Sequence, residues 1–531
     1  MELFVFMRLY KDIFSFLFKL LKCENNVLFS KKTLYLQYNI KYLYKIKMDK
    51  KELFNLISKI TGLELSGKTR KEADLIGERE VPAEVYFGVQ TLRGIENFQI
   101  SEKTIKDFPY LIVGLGYVKK AAVITNTALG FISKDICDAI CQACDEIIAG
   151  KHHEHFIVDL IQGGAGTSTN MNANEVIANR ALEILGLSKG DYKTISPNDH
   201  INCSQSTNDA YPSSIHLAFL LYNRDLISSL NLLIESFRTK AKDFSDVIKM
   251  GRTQLQDAVP MTLGQEFNAF ANTLSYEVEN LNCGVSWLEY INMGATAIGT
   301  GINCHSKYPA MCVGEIAKMT GFDLELSSDL IESTPDTSGF VSYHGAIKRL
   351  GIKLSKICND LRLLTSGPRA GLYEINLPRM QPGSSIMPGK VNPVIPEVVN
   401  QICFKVFGND TTINFASEAS QLQLNVMEPV IVESVWESIR YLISGMDVLR
   451  EQCIAGITAN ETHCREMVLH NIGIVTALNP VIGYKTSTVV AKEALDTGRG
   501  IYELVLEKGL LDKEKLDQLL SPESMCTFNI G

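Results

Sequence analysis

The stretch Gly-Ser-Ser-Ile-Met-Pro-Gly-Lys-Val-Asn-Pro at residues 383–393 places two hydroxyl groups, a lysine and an amide on one short segment. A glycine near each end permits backbone angles that other residues avoid, so the segment is suited to move or to approach a ligand closely. Lys390 supplies positive charge and Asn392 supplies directional donors. Ser384 and Ser385 can donate hydrogen bonds or, once activated, take a proton. Together these groups suit a small dicarboxylate whose carbanion must be formed and held.

Three other segments, residues 163–172, 204–209 and 251–257, are likewise rich in hydroxyl and amide groups and poor in charge. Taken alone, each could be a helix N-terminus, where Ser, Thr, Asn and Asp cap free amides. Removing a proton from the carbon beside a carboxylate creates a dianionic aci-carboxylate, which an enzyme must stabilise with fixed donors. Clustered hydroxyls and amides supply such donors without adding carboxylates that would repel the substrate.

Apolar residues recur at spacings of three and four in two long stretches, which predicts two long helices with one buried face each. The two series are Ile347, Leu350, Leu354, Ile357, Leu361 and Leu364, and Phe219, Tyr222, Leu226, Leu230, Leu233 and Phe237. Alternating patterns typical of strands are few, so we expect a mainly α protein built around a helical bundle. Residues 49–71 also predict a helix, and residues 77–98 predict an irregular or strand-containing entry segment.

In their order along the chain, the four hydroxyl-rich segments resemble the motifs of the aspartase/fumarase superfamily. Residues 383–393 match its signature GSSxMPxKxNP throughout, and the resemblance extends from about Gly77 to about Ser521. It implies a mainly α fold of three domains, in which a central bundle of long helices merges into a larger helical bundle in a homotetramer. The implied domains are an N-terminal domain, a central bundle and a small C-terminal helical domain, at residues 48–207, 208–462 and 463–531. Each active site would be shared between three subunits.

Carried over residue by residue, the resemblance implies a role for each polar group. Ser384 aligns with the serine that removes the Cβ proton of the substrate. The residues that would hold the β-carboxylate and its aci form are Thr167, Ser206, Thr207 and Ser385. Those that would bind the α-carboxylate are Thr253, Lys390 and Asn392. Asn208 and Gln254 fall where the superfamily contacts the leaving amino group. Arg93 resembles another substrate-binding position, and an ordinary ion pair is the alternative for it.

Four positions favour the aspartase branch, which deaminates L-aspartate reversibly to fumarate and ammonia. Ala165 and Thr207 differ from the residues usual in fumarases, and Glu428 stands where fumarases commonly have lysine. Gln254 replaces a histidine found in many members. A neutral amide cannot act as a general acid, but an ammonium group already carries its proton and needs none. Glu397, which would pair with that histidine, stays open between a catalytic role and a charge at a helix start.

Two alternatives remain beside this reading of the function. Fumarate hydratase is the alternative enzyme, and activity with malate alone would identify it. A non-catalytic structural or binding protein on the same scaffold is the alternative of another class. The presence of both Ser384 and Lys390 argues against the second alternative.

Composition limits the partners and the compartment. The chain has 531 residues, is 46% hydrophobic and carries a net charge of −8, an acidic balance that argues against a nucleic-acid partner. Its 13 cysteines show no disulfide-like spacing, which indicates a reducing, cytoplasmic compartment. The sequence contains no Rossmann motif, and we expect no organic cofactor. We expect the histidine-rich residues 151–155 to be a solvated loop and predict no metal site, and activation by a divalent metal cannot be read from the sequence.

Residues 1–47 differ from the rest of the chain, because they contain no Gly, Pro or Ala. Charged residues interrupt their apolar run, which therefore fails as a membrane span, and a signal-peptide cleavage site is missing. A basic amphipathic helix on a membrane surface is the alternative. We expect no membrane partner, and we interpret this stretch as translated upstream sequence with Met48 as the true start.

Overall fold

The computed structural model describes residues 48–526, which divide into two compact units after Leu65. Residues 1–47, and with them the hypothesis about Met48, lie outside the described residues. The first unit contains helix α1 (Lys50–Thr61). Asp49 caps this helix by accepting a hydrogen bond from the Glu52 N–H at 2.8 Å, and Gly62 ends it in a left-handed conformation.

The second unit is mostly helical, which confirms the predicted fold class. Its helices are α2 (Val89–Asn97), α3 (Pro109–Ala128), α4 (Lys134–Ile148), α5 (Thr167–Ile184), α6 (Thr207–Asp243), α7 (Leu263–Val285), α8 (Tyr308–Thr320), α9 (Leu330–Ser333), α10 (Ser338–Leu364), α11 (Val394–Glu418), α12 (Glu428–Gln452), α13 (Glu461–Leu469), α14 (Val475–Ile482), α15 (Tyr484–Thr497), α16 (Ile501–Glu507), α17 (Lys513–Leu519) and α18 (Pro522–Met525).

Short strands pair in twos around these helices. They are β1 (Thr69–Asp74), β2 (Gly77–Pro82), β3 (Ile248–Thr253), β4 (Gln256–Thr262), β5 (Tyr290–Ile291), β6 (Glu325–Leu326), β7 (Ile375–Asn376) and β8 (Thr458–Ala459). The pairs β1–β2, β3–β4 and β7–β8 are antiparallel, and β5–β6 is parallel.

The core of the second unit lies between its long helices. α6 packs against α3, α7 and α12, while α10 packs against α7 and α11. Every residue of the two predicted apolar series is buried, one series on α6 and the other on α10. By length and composition α6 could cross a bilayer, but 61% of its most apolar window is buried in the protein, as expected of a core helix.

Two expectations for the N-terminal region were wrong in part. Gly62 ends the first helix, so the predicted helix does not reach Lys71, which lies in β1 instead. Residues 77–98 contain the expected strand, but they also contain α2, which was not predicted. Six cross-strand pairs join β1 to β2 in a hairpin, and this pairing outweighs the helix preference of the sequence.

The C-terminal helices α13 to α17 have a hydrophobic cluster of their own, which also includes Ile248 and Met250 of β3. The hairpin β3–β4 therefore contributes to the same core as the C-terminal helices. The domain boundaries after residues 207 and 462 stay a prediction.

Candidate active site

The first two hydroxyl-rich segments lie together at the N-termini of α5 and α6. Thr167 is the first residue of α5, after Gly166 with a φ of 83°. Ser206 caps α6, and Thr207 is the first residue of that helix. Asn170 Nδ2 donates a hydrogen bond to Thr207 Oγ1 at 3.1 Å, which joins the two segments. The positive ends of two helix dipoles therefore lie side by side, an arrangement that favours a carboxylate.

A buried lysine supports these N-termini from behind. Lys119 of α3 has no solvent exposure and donates to Asn202 Oδ1 at 3.0 Å and to Gln205 Oε1 at 2.9 Å. Asn202 Oδ1 also accepts from Asn170 Nδ2 at 3.1 Å. Burial lowers the pKa of Lys119 to about 7, although the carboxylate of Asp209 opposes this shift. A chain of amides thus connects a buried amine to the predicted carboxylate site.

The third segment forms the tip of the β3–β4 hairpin. Thr253 pairs with Gln256, and the two residues between them, Gln254 and Leu255, have φ values of 53° and 61°. Residues other than Gly, Asn and Asp rarely take the left-handed region twice in succession, so this turn is strained. Thr253 and Gln254 are exposed and therefore accessible to a ligand.

A buried carboxylate anchors this hairpin. Glu374 is fully buried, and its Oε1 accepts from Arg252 Nη1 at 2.6 Å. Its Oε2 lies 2.8 Å from Lys249 Nζ, and the same ammonium lies 2.5 Å from Glu266. Glu374 immediately precedes β7, from which the chain leads to residues 383–393. The ion pairs therefore tie the hairpin to the base of the segment that carries the predicted catalytic serine.

The fourth segment is a loop that is closed at its base. The Gly383 N–H donates to Lys390 O at 2.8 Å, and Asn392 Nδ2 donates to Gly383 O at 2.8 Å. A Cβ on Gly383 would lie 2.7 Å from Asn392 N and 2.8 Å from Lys390 O. Only glycine fits this crossing, which explains the glycine that opens the signature.

Within this loop, two backbone N–H groups point at the hydroxyl oxygen of Ser384. Ser384 Oγ accepts from Ile386 N at 3.2 Å and from Met387 N at 3.0 Å. Hydrogen bonds to a charged form favour that form, so this geometry stabilises a serine alkoxide. Ser385 and Lys390 are exposed, and no carboxylate or carbonyl between residues 48 and 526 pairs with the Lys390 ammonium. The loop therefore fixes the Ser384 hydroxyl oxygen by two N–H groups and presents an exposed cation.

Within a single copy of the protein, the four hydroxyl-rich segments are not all in direct contact. The bond between Asn170 and Thr207 links the first segment to the second. Across the described part of the chain, no hydrogen bond or ion pair links either of them to the hairpin tip or to the 383–393 loop. The hairpin tip and that loop are likewise not bonded to each other.

Arg93 forms an ion pair, which was the alternative to a substrate-binding role in the sequence analysis. Its Nε donates to Asp74 Oδ2 at 2.6 Å, and its Nη2 donates to Asp74 Oδ1 at 2.7 Å and to Gly77 O at 2.9 Å. The hydrogen bonds from Arg93 lower the pKa of Asp74. A substrate-binding role for Arg93 stays a prediction.

The histidine-rich patch is not the solvated loop that we expected. His152, Glu154 and His155 bring possible ligand atoms within 4.8 Å of one another, and the His155 side chain is only 3% exposed. However, the Tyr86 N–H donates to His155 Nδ1 at 3.3 Å, which leaves the ring proton on Nε2, 3.4 Å from Glu154 Oε1. A metal-binding nitrogen must be unprotonated. We therefore interpret this cluster as a buried histidine beside a carboxylate.

Three supporting residues were missed by the sequence reasoning, namely Lys119, Asp209 and Glu374. Asp209 has a local signal, because a capping box requires a side chain of its type three residues after Ser206. Lys119 and Glu374 have no such signal, since charged residues of these types are nearly always exposed.

Comparison with known proteins identifies the family. A protein-family model described as "Lyase" matches residues 77–408, and a second family model, described as "Fumarase C C-terminus", matches residues 474–527. An aspartate ammonia-lyase of Pseudomonas canavaninivorans is 57% identical over 457 residues, which cover 86% of this chain and 96% of the relative. An aspartate ammonia-lyase of Escherichia coli K12 is 54% identical over 462 residues, which cover 87% of this chain and 97% of the relative.

Solved structures share the fold. The crystal structure of a "fumarate lyase:delta crystallin" from Brucella melitensis bound to cobalt matches with a TM-score of 0.84 and 50% identity, covering 87% of this chain and all of that one. A class II fumarase from Schistosoma mansoni matches with a TM-score of 0.79 and 32% identity, covering 86% and 99% of the two chains. The predicted superfamily and the predicted carbon–nitrogen lyase class are confirmed. The chain therefore belongs to the lyase family of the aspartase/fumarase superfamily, and within it to the aspartate ammonia-lyases.

Proposed function

We propose that this protein converts L-aspartate reversibly to fumarate and ammonia, with Ser384 as the general base, in sites shared between copies of a homotetramer. The observation that carries the assignment of the base is the pair of N–H groups aimed at Ser384 Oγ, at 3.2 and 3.0 Å. A serine is a poor base unless its charged form is stabilised. These two donors provide such stabilisation before any substrate binds.

Proton removal is the first step. The Ser384 alkoxide takes a proton from Cβ, and the electron pair left behind spreads into the β-carboxylate to form the aci-carboxylate. Thr167, Ser206 and Thr207 stand at the paired helix N-termini, where backbone N–H groups and hydroxyls can receive the new charge. Each donor of this kind contributes roughly 10²–10³ in rate.

Loss of the amino group is the second step. Thr253, Lys390 and Asn392 hold the α-carboxylate while the C–N bond breaks and the Cα–Cβ double bond forms. The bonding electron pair moves to the nitrogen, which already carries three protons and leaves as ammonia. No acid is needed at Gln254, and the proton held by Ser384 passes to solvent.

Sharing of sites between copies accounts for the separation of the segments within one chain. Large apolar side chains face outward on the long helices: Phe404 and Phe415 of α11 are 61% and 72% exposed, and Ile352 of α10 is 51% exposed. Exposed apolar side chains on these helices support an interface between copies of the chain. The same helices would pack together in a tetramer.

A substrate comparison tests the reaction and the base together. We expect the wild-type protein to form fumarate from aspartate, measured by ultraviolet absorbance, and Ser384→Ala to form none while keeping its fold and its sedimentation. Ser188→Ala is the control, because Ser188 is exposed and lies outside all four segments. Activity with malate only would overturn the reaction. Near-normal turnover by Ser384→Ala would overturn the assignment of the base.

Mixing two inactive variants tests the shared sites. We expect Ser384→Ala and Thr207→Val to be strongly impaired alone and to regain activity after they are unfolded together and refolded. A mixed tetramer would contain some sites with both native residues. If activity is not regained in mixed tetramers, the site lies within one chain.

A cytoplasmic location, without nucleic-acid or membrane partners, completes the proposal. All twelve cysteines in the described part of the chain are free thiols, which suits a reducing compartment. Cell fractionation that places the protein in a membrane pellet would overturn the location.

A further inference from the structure

Asp209 is a buried carboxylate that ties α6 to the loop of residues 292–304, which lies within the connection from β5 to α8. Its Oδ1 accepts from the Ser206 N–H at 2.8 Å and so completes the cap of the helix. Its Oδ2 accepts from the N–H groups of Gly294 and Thr296, each at 3.0 Å. The side chain has no solvent exposure. The loop therefore cannot leave the helix without stranding a buried carboxylate, which is costly.

The same loop decides which way the amide of Asn208 points. Asn208 Nδ2 lies 2.8 Å from Ala297 O, and because a carbonyl oxygen can only accept, the group that faces it must be the NH2. Asn292 Nδ2 donates to Asn208 O at 3.0 Å and holds the backbone of that residue. Asn208 Oδ1 is therefore turned away from Ala297, and no donor in residues 48–526 reaches it.

Tight packing holds the loop itself in place. Gly294 has a φ of 90°, and a Cβ there would lie 2.5 Å from the Pro309 side chain. Gly299 has a φ of 95°, and a Cβ there would lie 2.4 Å from the backbone of Ile331. The carboxylate of Asp209 thus clamps a loop that is tightly packed at Gly294 and Gly299.

An amide oxygen at this position suits an ammonium group. An ammonium has only donors, so it is bound by the oxygen of an amide and repelled by its NH2. A rotated Asn208 would present the wrong end of its amide to the substrate. Dicarboxylates without an amino group would not sense this difference.

We propose that Asp209 is a positioning residue for the amino group of the substrate, because it clamps the 292–304 loop onto α6 and so aims the amide oxygen of Asn208 at the ammonium. This inference rests on the proposed deamination of aspartate. Asp209 does not touch the substrate in this account but acts through Ala297 and Asn208.

The test compares aspartate with succinate, which has the same carbon chain and two carboxylates but no amino group. Asp209→Asn keeps the size of the side chain but replaces one acceptor oxygen by an NH2 group, which then faces a backbone N–H donor. We expect it to raise KM for aspartate about tenfold, equivalent to about 1.4 kcal/mol, and to change the inhibition constant of succinate by less than about twofold. Asp199→Asn is the control, because Asp199 is exposed and close in sequence, and we expect it to alter neither constant.

A double variant separates positioning from general support. Asn208→Ala alone should also raise KM for aspartate, and adding Asp209→Asn to it should produce no further rise, since both act on one contact. If Asp209→Asn fails to fold, Asn292→Ala replaces it, because this variant removes the bond from the loop to the Asn208 carbonyl while sparing the carboxylate. An unchanged KM for aspartate would then count against positioning of Asn208 by the loop.

Two results would overturn the inference alone. Equal rises of the aspartate and succinate constants would mean that Asp209 only holds the site together. Additive effects of Asp209→Asn and Asn208→Ala would mean that the two residues act separately. If the wild-type protein does not convert aspartate at all, the proposed function fails first, and the inference fails with it.

Discussion

Replacement of Glu374 by glutamine tests whether a buried anion holds the predicted substrate hairpin. Glu374 is fully buried between Arg252, at 2.6 Å, and Lys249, at 2.8 Å. Glu374→Gln removes the negative charge and keeps the shape of the side chain. The two cations then keep only Glu266, which lies 2.5 Å from Lys249, and the largely exposed Asp257, which lies 3.9 Å from Arg252. Arg252 is the less compensated of the two.

The magnitude follows from the cost of an unpaired buried charge. Removing one partner of a buried ion pair costs about 3–5 kcal/mol. Glutamine retains one acceptor oxygen for Arg252, and Lys249 retains Glu266, so we expect a loss near the low end, about 3 kcal/mol. In an Arg252→Met background the same substitution should cost at least about 1 kcal/mol less, because the stranded charge is already gone.

Urea denaturation at one fixed protein concentration measures this loss, since the stability of an oligomer depends on concentration. The emission of Trp436, which is only 2% exposed, reports unfolding. Glu78→Gln is the control, because its pair with Lys71 is on the surface and should contribute less than about 1 kcal/mol. A loss below about 1 kcal/mol for Glu374→Gln, or an equal loss in both backgrounds, would refute the reasoning.

Three other predictions concern the packing and the acid stability of the described residues. Gly166→Ala should lower the turnover of aspartate roughly 10²-fold or more, because a Cβ there would lie 2.3 Å from the Tyr211 ring and displace the start of α5; unchanged steady-state kinetics would contradict this. The Arg180 guanidinium holds the pKa of Glu146 at about 2, against an ordinary value of 4.5. This ion pair therefore stabilises the native state above about pH 4.5, and its contribution is lost as the pH falls toward 2. The difference in unfolding free energy between wild type and Glu146→Gln should shrink across that window, and a constant difference would exclude the pair as its source. Burial lowers the pKa of His344 from 6.5. As the pH falls below 6.5, protons therefore bind the unfolded chain more readily than the native state, and the native state loses stability. Urea midpoints of His344→Gln should depend less on pH below 6.5 than those of wild type, and equal pH dependence would refute the assignment.

Much of the fold was predictable because its signals are local. The apolar series on α6 and α10 repeat at helical spacing, and burial of every member confirms both. The signature at residues 383–393 likewise contains Gly383, which the hydrogen bonds that close the base of this loop require. In each case the physical cause lies within a few residues of its effect.

Other features depended on partners outside the segment concerned. Residues 69–74 pair with a second strand instead of extending the first helix, and nothing within that segment reveals the partner. Arg93 resembles a substrate-binding position, which stays a prediction, and the structure shows it bonded to Asp74. The sequence pattern did not indicate this partner, which only the folded chain shows.

The sequence by itself determined the superfamily, the helical class and the set of groups that can handle a dicarboxylate, since these follow from residue types and short spacings. Only the tertiary structure decided how those groups are held. Lys119, Asp209 and Glu374 support the predicted site from buried positions, and each does so through residues from distant parts of the chain. Burial makes an unpaired charge costly, so the fold must bring each of these charges to its partner, and that pairing exists only once the chain has folded.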